Sequence, residues 1–289
     1  MSLRQQLARS ALYRALKLRN EFGIAVNQVF DVFDFATNSG VEVRFVDIPS
    51  FEAMYIQDGQ PRILVSSHRP MARQTFDCAH ELGHHVFGHG SKIDDQINSE
   101  AGRGRFDPQE YLADRFASYL LMPKTLVAHA FHIRGWAIAD CSPGMLFTIA
   151  GWLGVGYTTL IHQMAMSLCI LSRKKADALL QASPKEIRMD LVSQSVTGHL
   201  VVVDFHWKDR AIDAQVGDYI MLPQGVQCEG SSLTLEPQRH EGGAVYRANV
   251  PGVGRFLHVA SEWCSYVRVC RRGYVGRSIF RHLEDPEHE

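Results

Sequence analysis

The stretch His80-Glu81-Leu82-Gly83-His84 is where this sequence carries chemistry. Residues four apart on a helix share a face, so the imidazoles of His80 and His84 can converge on one cation. Glu81 lies one residue round, where its carboxylate can hold a water at that cation. A zinc ion bound by two histidines still needs a third protein ligand and an open position. A third histidine in the arrangement HExxHxxGxxH would require glycine at 87 and histidine at 90, but those positions hold Phe87 and Gly90, and Gly88 and His89 miss the register. A carboxylate from a later helix remains. Glu110 is best placed, because Glu110 and Asp114 are themselves four apart: one can face the metal while the other hydrogen-bonds the outer nitrogen of a ligand histidine. Asp94 and Asp95 are the alternatives, weaker because they follow the motif too closely to need a second supporting helix.

These residues need elements to hold them. From Pro70 to about Phe87 the pattern is helical, with proline at its start and Gly88 and Gly90 at its end. Ala79, Leu82, Gly83, Val86 and Phe87 give that helix an apolar or close-packing face. The segment QEYLADRFASYLLMP reads as a second helix stopped by Pro123, with Leu112, Phe116, Tyr119 and Leu120 on one side. Ahead of the motif, an amphipathic N-terminal helix carries Leu7, Leu12, Leu16 and Leu18 and continues through Val29, Phe30 and Phe33 to a turn near Asn38-Ser39-Gly40. VEVRFVDI alternates with period two, and MYI and RILVSS flank the turn Asp58-Gly59, which predicts a small sheet with a hairpin. The strand at Arg62 to Ser67 is the expected edge for an extended peptide. Further on, MLFTIAGWLG and GYTTLIHQMAM, separated by Gly154 to Gly156, have the form of a helix-turn-helix. Beyond Ile187 short strand-like runs separated by Gly, Pro and Asp read as a compact β domain, a sandwich or barrel.

The run TFDCAHELGHHVFGH followed by EYLADRFASYLLMP resembles the ImmA/IrrE family of bacterial zinc metallopeptidases, which carries AHELGH and, after a spacer, an E-x-x-A-[ND]-x-F-A-x-x-L-L-M-P helix. The likeness covers residues 40 to 123 well and extends more weakly to 182. It implies that His80, His84 and Glu110 bind Zn2+, that Glu81 is the catalytic base, and that Asp114 orients a ligand histidine from the second shell. Asp77 stands where the family often has threonine or another small residue. The last hundred residues do not look like the sensor-type domain of the radiation-response members. The implied fold class is α+β, in three parts: a mainly helical zincin-like peptidase domain with a small sheet at 1–135, a helix-turn-helix-like extension at 136–185, and a β-rich domain at 186–289 that senses a signal or binds substrate or partner. The implied activity is a zinc-dependent endopeptidase acting on a helix-turn-helix repressor or antitoxin. Zinc would activate a water and polarise the scissile carbonyl, and Glu81 would pass the water's proton to the leaving amine. Tyr111, Tyr119, His129 and His132 are the candidates for a donor to the developing oxyanion.

Composition limits the other function classes. The 289 residues are 46% hydrophobic and 21% charged, a globular balance, and no apolar run approaches membrane-spanning length. With 30 basic and 31 acidic residues there is no global electrostatic case for nucleic acid. The segment Gly156 to Met166 has no lysine or arginine, so a DNA-reading role for the second helix is not favoured; Arg173, Lys174 and Lys175 lie just beyond. Arg268, Arg271, Arg272, Arg277 and Arg281 form a stretch without acids, read as a solvated face or one paired with the acidic tail Glu284, Asp285, Glu287 and Glu289. Six cysteines without a CxxC pair fit a reducing compartment, and the arginines ahead of Glu21 sit on an ordinary amphipathic helix and not a transit peptide, so a cytoplasmic location is expected. Fourteen histidines are present, and His85 and His89 are expected in surface or packing roles; Cys78 is expected in the core. The rival class is a non-proteolytic regulator with a structural metal site that binds nucleic acid or a partner protein.

Overall fold

Ser2 opens the first helix: its hydroxyl accepts from the Gln5 amide while the Gln5 side chain accepts from the Ser2 amide, and α1 (Leu3–Glu21) follows. The buried stripe of α1 is Ala11, Ala15, Leu18 and Arg19, whereas Leu7, Leu12 and Leu16 are only half-buried. The helix does not run on through Val29, Phe30 and Phe33 as the apolar spacing predicts. Gly23 turns the chain in a left-handed conformation (φ +68°), and Asp31 caps a separate helix, α2 (Val32–Asn38), by accepting from the Phe33 and Asp34 amides. This computed structural model describes residues 1–91, 106–192, 198–208, 210–237 and 243–283.

The chain divides into two compact units, 1–128 with 275–279, and 129–274 with 280–289. In the first unit, β1 (Glu42–Val46), β2 (Ala53–Ile56) and β3 (Arg62–Ser66) alternate buried and half-buried residues. β2 and β3 form the expected antiparallel hairpin around Gly59, whose φ is +103°, and β1 runs parallel to β3. A two-residue strand from far along the chain, Gly276–Arg277, pairs antiparallel with β1 and completes the sheet. β3 therefore lies inside the sheet, and the expectation of an edge at residues 62–67 is corrected: the edge on the hairpin side is β2.

Two helices carry the motif residues. α3 (Met71–Phe87) begins after Pro70 and ends at Gly88, and α4 (Pro108–Leu121) begins with Pro108 after Asp107, whose carboxylate accepts from the Gln109 and Glu110 amides. α4 packs against both α1 and α3. Arg19, completely buried, ties the first contact together: its guanidinium donates to the Leu120 carbonyl at 2.8 Å, to Ala25 O at 2.6 Å and to Gln28 O, and it lies over the Phe30 ring. Burial lowers its pKa to about 10.

The second unit begins within α5 (Lys124–His132) and holds α6 (Pro143–Leu153), α7 (Tyr157–His162, continued by a π turn at Gln163–Ser167), α8 (Arg173–Leu180) and α9 (Pro184–Val192). Left-handed Gly154 ends α6, and the two arms about the break bend by 100°, the crossing of a helix-turn-helix. Gln163 is buried, and the exposed side chains of the second arm are Thr158, His162 and Met166. The Trp152 indole donates to His206 O and Arg134 pairs with Asp204 at 2.7 Å, so the helical segment and the strands share one core. The strands are β4 (Leu200–Val202), β5 (Ala211–Gln215), β6 (Tyr219–Leu222), β7 (Gln227–Glu229), β8 (Leu233–Leu235), β9 (Ala244–Ala248), β10 (Gly252–His258) and β11 (Trp263–Cys270). They form two four-stranded sheets, ordered β5-β11-β10-β7 and β4-β6-β9-β8. The fold is thus α+β, helical around the histidine motif and β-rich toward the C-terminus. Among the described residues no single helix is long and apolar enough to cross a membrane.

The arginine-rich stretch is no continuous stripe. Arg268 on β11 donates to Asp213 through two nitrogens at 2.7 and 2.8 Å, His282 reaches the same carboxylate at 3.2 Å, and Arg281 is buried 3.8 Å from it. Glu284, Asp285, Glu287 and Glu289 lie outside the described residues. Burial alone would raise the Asp213 carboxyl, but His282, Arg281 and Arg268 outweigh it and hold it well below the usual carboxylate range.

Two stability predictions follow from these anchors. Arg19→Met leaves three carbonyls without their donor and should cost about 3 kcal/mol in denaturant unfolding. A folded-state pKa below the unfolded value of about 3.9 makes the contribution of Asp213 complete above that pH and progressively lost as pH falls below it. Asp213→Asn should therefore lose roughly 3 kcal/mol at neutral pH and show a flatter decline in stability between about pH 5 and pH 2 than the unaltered chain.

Candidate metal centre

α3 and α4 approach closely because position 83 has no side chain. A Cβ built there would lie 3.1 Å from the Ala113 Cα and 3.1 Å from the Phe116 ring. Leu82, Ala79, Ala113, Phe116 and Ala117 fill the rest of this contact, all fully buried. The ligand-bearing faces of the two helices then meet. His80 Nε2 lies 3.0 Å from His84 Nε2 and 3.1 Å from Glu110 Oε2, and His84 Nε2 lies 3.5 Å from Glu110 Oε1. These three residues form a group whose donor atoms all lie within 4.8 Å of one another and could hold a metal ion. Asp94 and Asp95, the alternative ligands, lie outside the described residues.

The donor set fits a cation. Ligands about 2.0–2.1 Å from a tetrahedral zinc are separated by about 3.3 Å, close to the spacings seen here. His80 Nδ1 faces Asp114 Oδ1 at 2.9 Å and donates to it, which leaves Nε2, facing Glu110 and His84, as the nitrogen that would give up its hydrogen to ligate a metal ion. Burial opposes a positive charge on His80, but its hydrogen bonds to Asp114 and Glu110, with the charge of Glu81, outweigh burial and lift its pKa to about 10. The cluster is therefore a place that holds positive charge, as a proton or as a metal ion in its stead.

Glu81 points to the other side. Its Oε2 accepts from the Tyr55 backbone amide at 2.9 Å, and burial raises its carboxyl pKa against the opposing charges of His80 and His84. Ser66 N donates to Glu52 O, so by the alternation of an antiparallel ladder the amide and carbonyl of Ala53 and Tyr55 face away from β3, along the edge of β2 that pairs with no strand among the described residues. Glu81 thus sits at the backbone of the edge strand. The Tyr55 hydroxyl lies 2.7 Å from His85 Nδ1, so Tyr55 contacts two α3 residues four apart, one through its amide and one through its side chain.

The structure brings His80, His84, Glu110 and Asp114 together, and it turns Glu81 onto the Tyr55 amide. His85 packs against Tyr55, as expected, whereas His89 Nδ1 lies 3.0 Å from His84 Nδ1, a contact with the motif that the expected surface or packing role did not include. Neither partner was legible, since helical spacing says nothing of a residue beyond the helix end or of a strand's side chain. Among the proposed oxyanion donors, Tyr111 packs on Phe106 beneath Arg115, Tyr119 is buried along α4, and His129 and His132 belong to the second unit. Cys78 is buried in the core as expected. Asp77, also buried, pairs with Arg73 at 3.0 Å, and burial raises its pKa to about 6.

Residues 36–164 match the family model Peptidase_M78, described as an IrrE N-terminal-like domain. The resemblance read from the histidine motif and the following helix is thereby shown for this segment, a metallopeptidase-type domain bearing a His-His-Glu group. No curated protein matches the chain. Among solved structures, a Mycobacterium tuberculosis transcriptional regulator is similar over 61% of this chain at 16% sequence identity, with a TM-score of 0.37; the chain spans 54% of that one.

Gly83→Val places a branched side chain against the Ala113 backbone. Overpacking of this kind costs about 1–3 kcal/mol, and the thermal midpoint should fall by several degrees. Because the same displacement separates Glu110 from the histidines, divalent-metal affinity measured by chelator competition should fall with it. An unchanged midpoint would show that the helices can part without cost.

Proposed function

We propose that the chain is a zinc-dependent endopeptidase of the cytoplasm that cleaves a helix-turn-helix repressor or antitoxin and so derepresses genes in stress or mobile-element regulation. One observation carries the peptidase reading: Glu81, next in the chain to the ligand His80, holds its carboxylate against the backbone of β2, which is an edge strand among the described residues. A base and a surface for an extended chain therefore adjoin. The substrate class rests on the IrrE-like character of residues 36–164.

His80, His84 and Glu110 would hold the ion, and Asp114 would fix the tautomer of His80. When bound, such an ion supplies Lewis acidity toward a water and a peptide carbonyl. The chain's own residues do the rest. The outward amide and carbonyl of Ala53 and the outward carbonyl of Tyr55 would pair with an extended substrate strand, the Tyr55 amide being taken by Glu81, and this pairing would set the scissile carbonyl in register. Glu81 would take a proton at its carboxylate from the attacking water and return it to the departing amine nitrogen; its raised pKa suits both transfers.

Glu81→Gln removes the base while keeping shape and ligands. With a helix-turn-helix protein encoded beside this chain as substrate, cleavage followed by gel and mass spectrometry should fall by about 10²–10⁴-fold, with metal content unchanged. Cleavage at the unaltered rate would overturn the peptidase reading. Full biological activity of the variant would favour the non-proteolytic regulator.

A further inference from the structure

α3 ends in a way that returns the chain to a metal ligand. Gly88 is left-handed (φ +67°), its amide donates to His85 O at 3.1 Å, and the next amide, His89 N, donates to His84 O at 3.0 Å. These two bonds, spanning four and six residues, are the Schellman termination of a helix. That termination brings the residue after the glycine against the residue five before it. An apolar pair usually fills this contact. Here both partners are histidines: His89 Nδ1 lies 3.0 Å from His84 Nδ1, and the Phe87 ring stacks on His89 with planes 21° apart.

The chemistry of the two rings settles the direction of the bond. His84 turns its Nε2 toward His80 and Glu110, so that nitrogen must keep its lone pair to act as a ligand. Its one hydrogen then lies on Nδ1 and points at His89. To accept it, His89 must offer a lone pair at Nδ1 and carry its own hydrogen on Nε2.

We infer that His89 is a positioning residue of the metal centre, which accepts a hydrogen bond from His84 Nδ1 and so fixes the tautomer and ring orientation of that ligand, as Asp114 does for His80. The inference rests on the reading of His80, His84 and Glu110 as ligands. It extends that reading from one oriented histidine to both, the second through a neutral acceptor placed by the helix terminus. The residue signal is a ligand histidine at 84, glycine at 88 and histidine at 89.

Two substitutions separate orientation from bulk. His89→Phe keeps a ring to stack on Phe87 but has no acceptor, and His89→Asn keeps an acceptor oxygen near the position of Nδ1. Zinc and cobalt(II) dissociation constants are measured on the full chain by competition with a chromogenic chelator, with the thermal midpoint of the metal-free protein as a control for folding. The expected result is a loss of about 10–100-fold in affinity for His89→Phe, with His89→Asn within a few-fold of the unaltered chain. Nitrogen-15 spectra of the imidazoles should place the His84 hydrogen on Nδ1 in the zinc-loaded protein. Unaltered affinity in His89→Phe, or equal losses in both variants, would overturn the assignment to His89 while leaving the ligand set intact. Failure of the unaltered chain to bind either ion would overturn the ligand set and this inference together.

Discussion

The close contact of α3 with α4 at Gly83 is the constraint on which the site depends. Neither helix carries a complete centre: His80 and His84 lie on one, Glu110 and Asp114 on the other. Donor atoms 3.1–3.5 Å apart across the two helices require backbones so close that a single added methyl would lie 3.1 Å from the Ala113 Cα. Most other features of the first unit serve that approach. Small residues on α1 and the buried Arg19 hold α4 from behind, and Tyr55 fastens the edge strand to the far face of α3.

Charge explains why the cluster is worth holding so tightly. Two imidazoles and two carboxylates gathered where α3 meets α4 favour a positive charge among them: burial opposes it on His80, but the hydrogen bonds of Asp114 and Glu110 outweigh burial and lift the His80 pKa far above its usual value. Glu81 is spared a place in that cluster by its one-residue offset. Its pKa is raised by burial and its carboxylate meets a backbone amide instead of a cation, so Glu81 on α3 and the carboxylates of Glu110 and Asp114 on α4 take different tasks.

Much of this was legible in the sequence, because it follows from local rules. Four-residue spacing put His80 with His84 and Glu110 with Asp114 on common faces, and Pro70, Gly88 and Pro123 marked helix ends to within about two residues. What was not legible depends on partners distant in the chain or on a reversal of backbone direction. The apolar spacing through Val29 and Phe33 suits a helix, but Gly23 and the cap at Asp31 break it. The strand at 62–66 alternates like an edge strand, yet β1 pairs with it from twenty residues away, and the Gly276–Arg277 strand covers β1 in turn. The arginines near the C-terminus look like one basic stretch only in sequence; Asp213, more than fifty residues upstream, draws Arg268 and Arg281 to itself. His89 escaped because helical spacing does not extend past a left-handed glycine.

The arrangement of α3 and α4 is tested most directly by X-ray absorption at the zinc edge of the metal-loaded chain. One ion per chain, with two imidazole nitrogens and carboxylate oxygen at about 2.0–2.2 Å and no sulfur, is the expected shell. Sulfur scattering near 2.3 Å, or a shell with fewer than two imidazoles, would contradict a centre built from His80, His84 and Glu110.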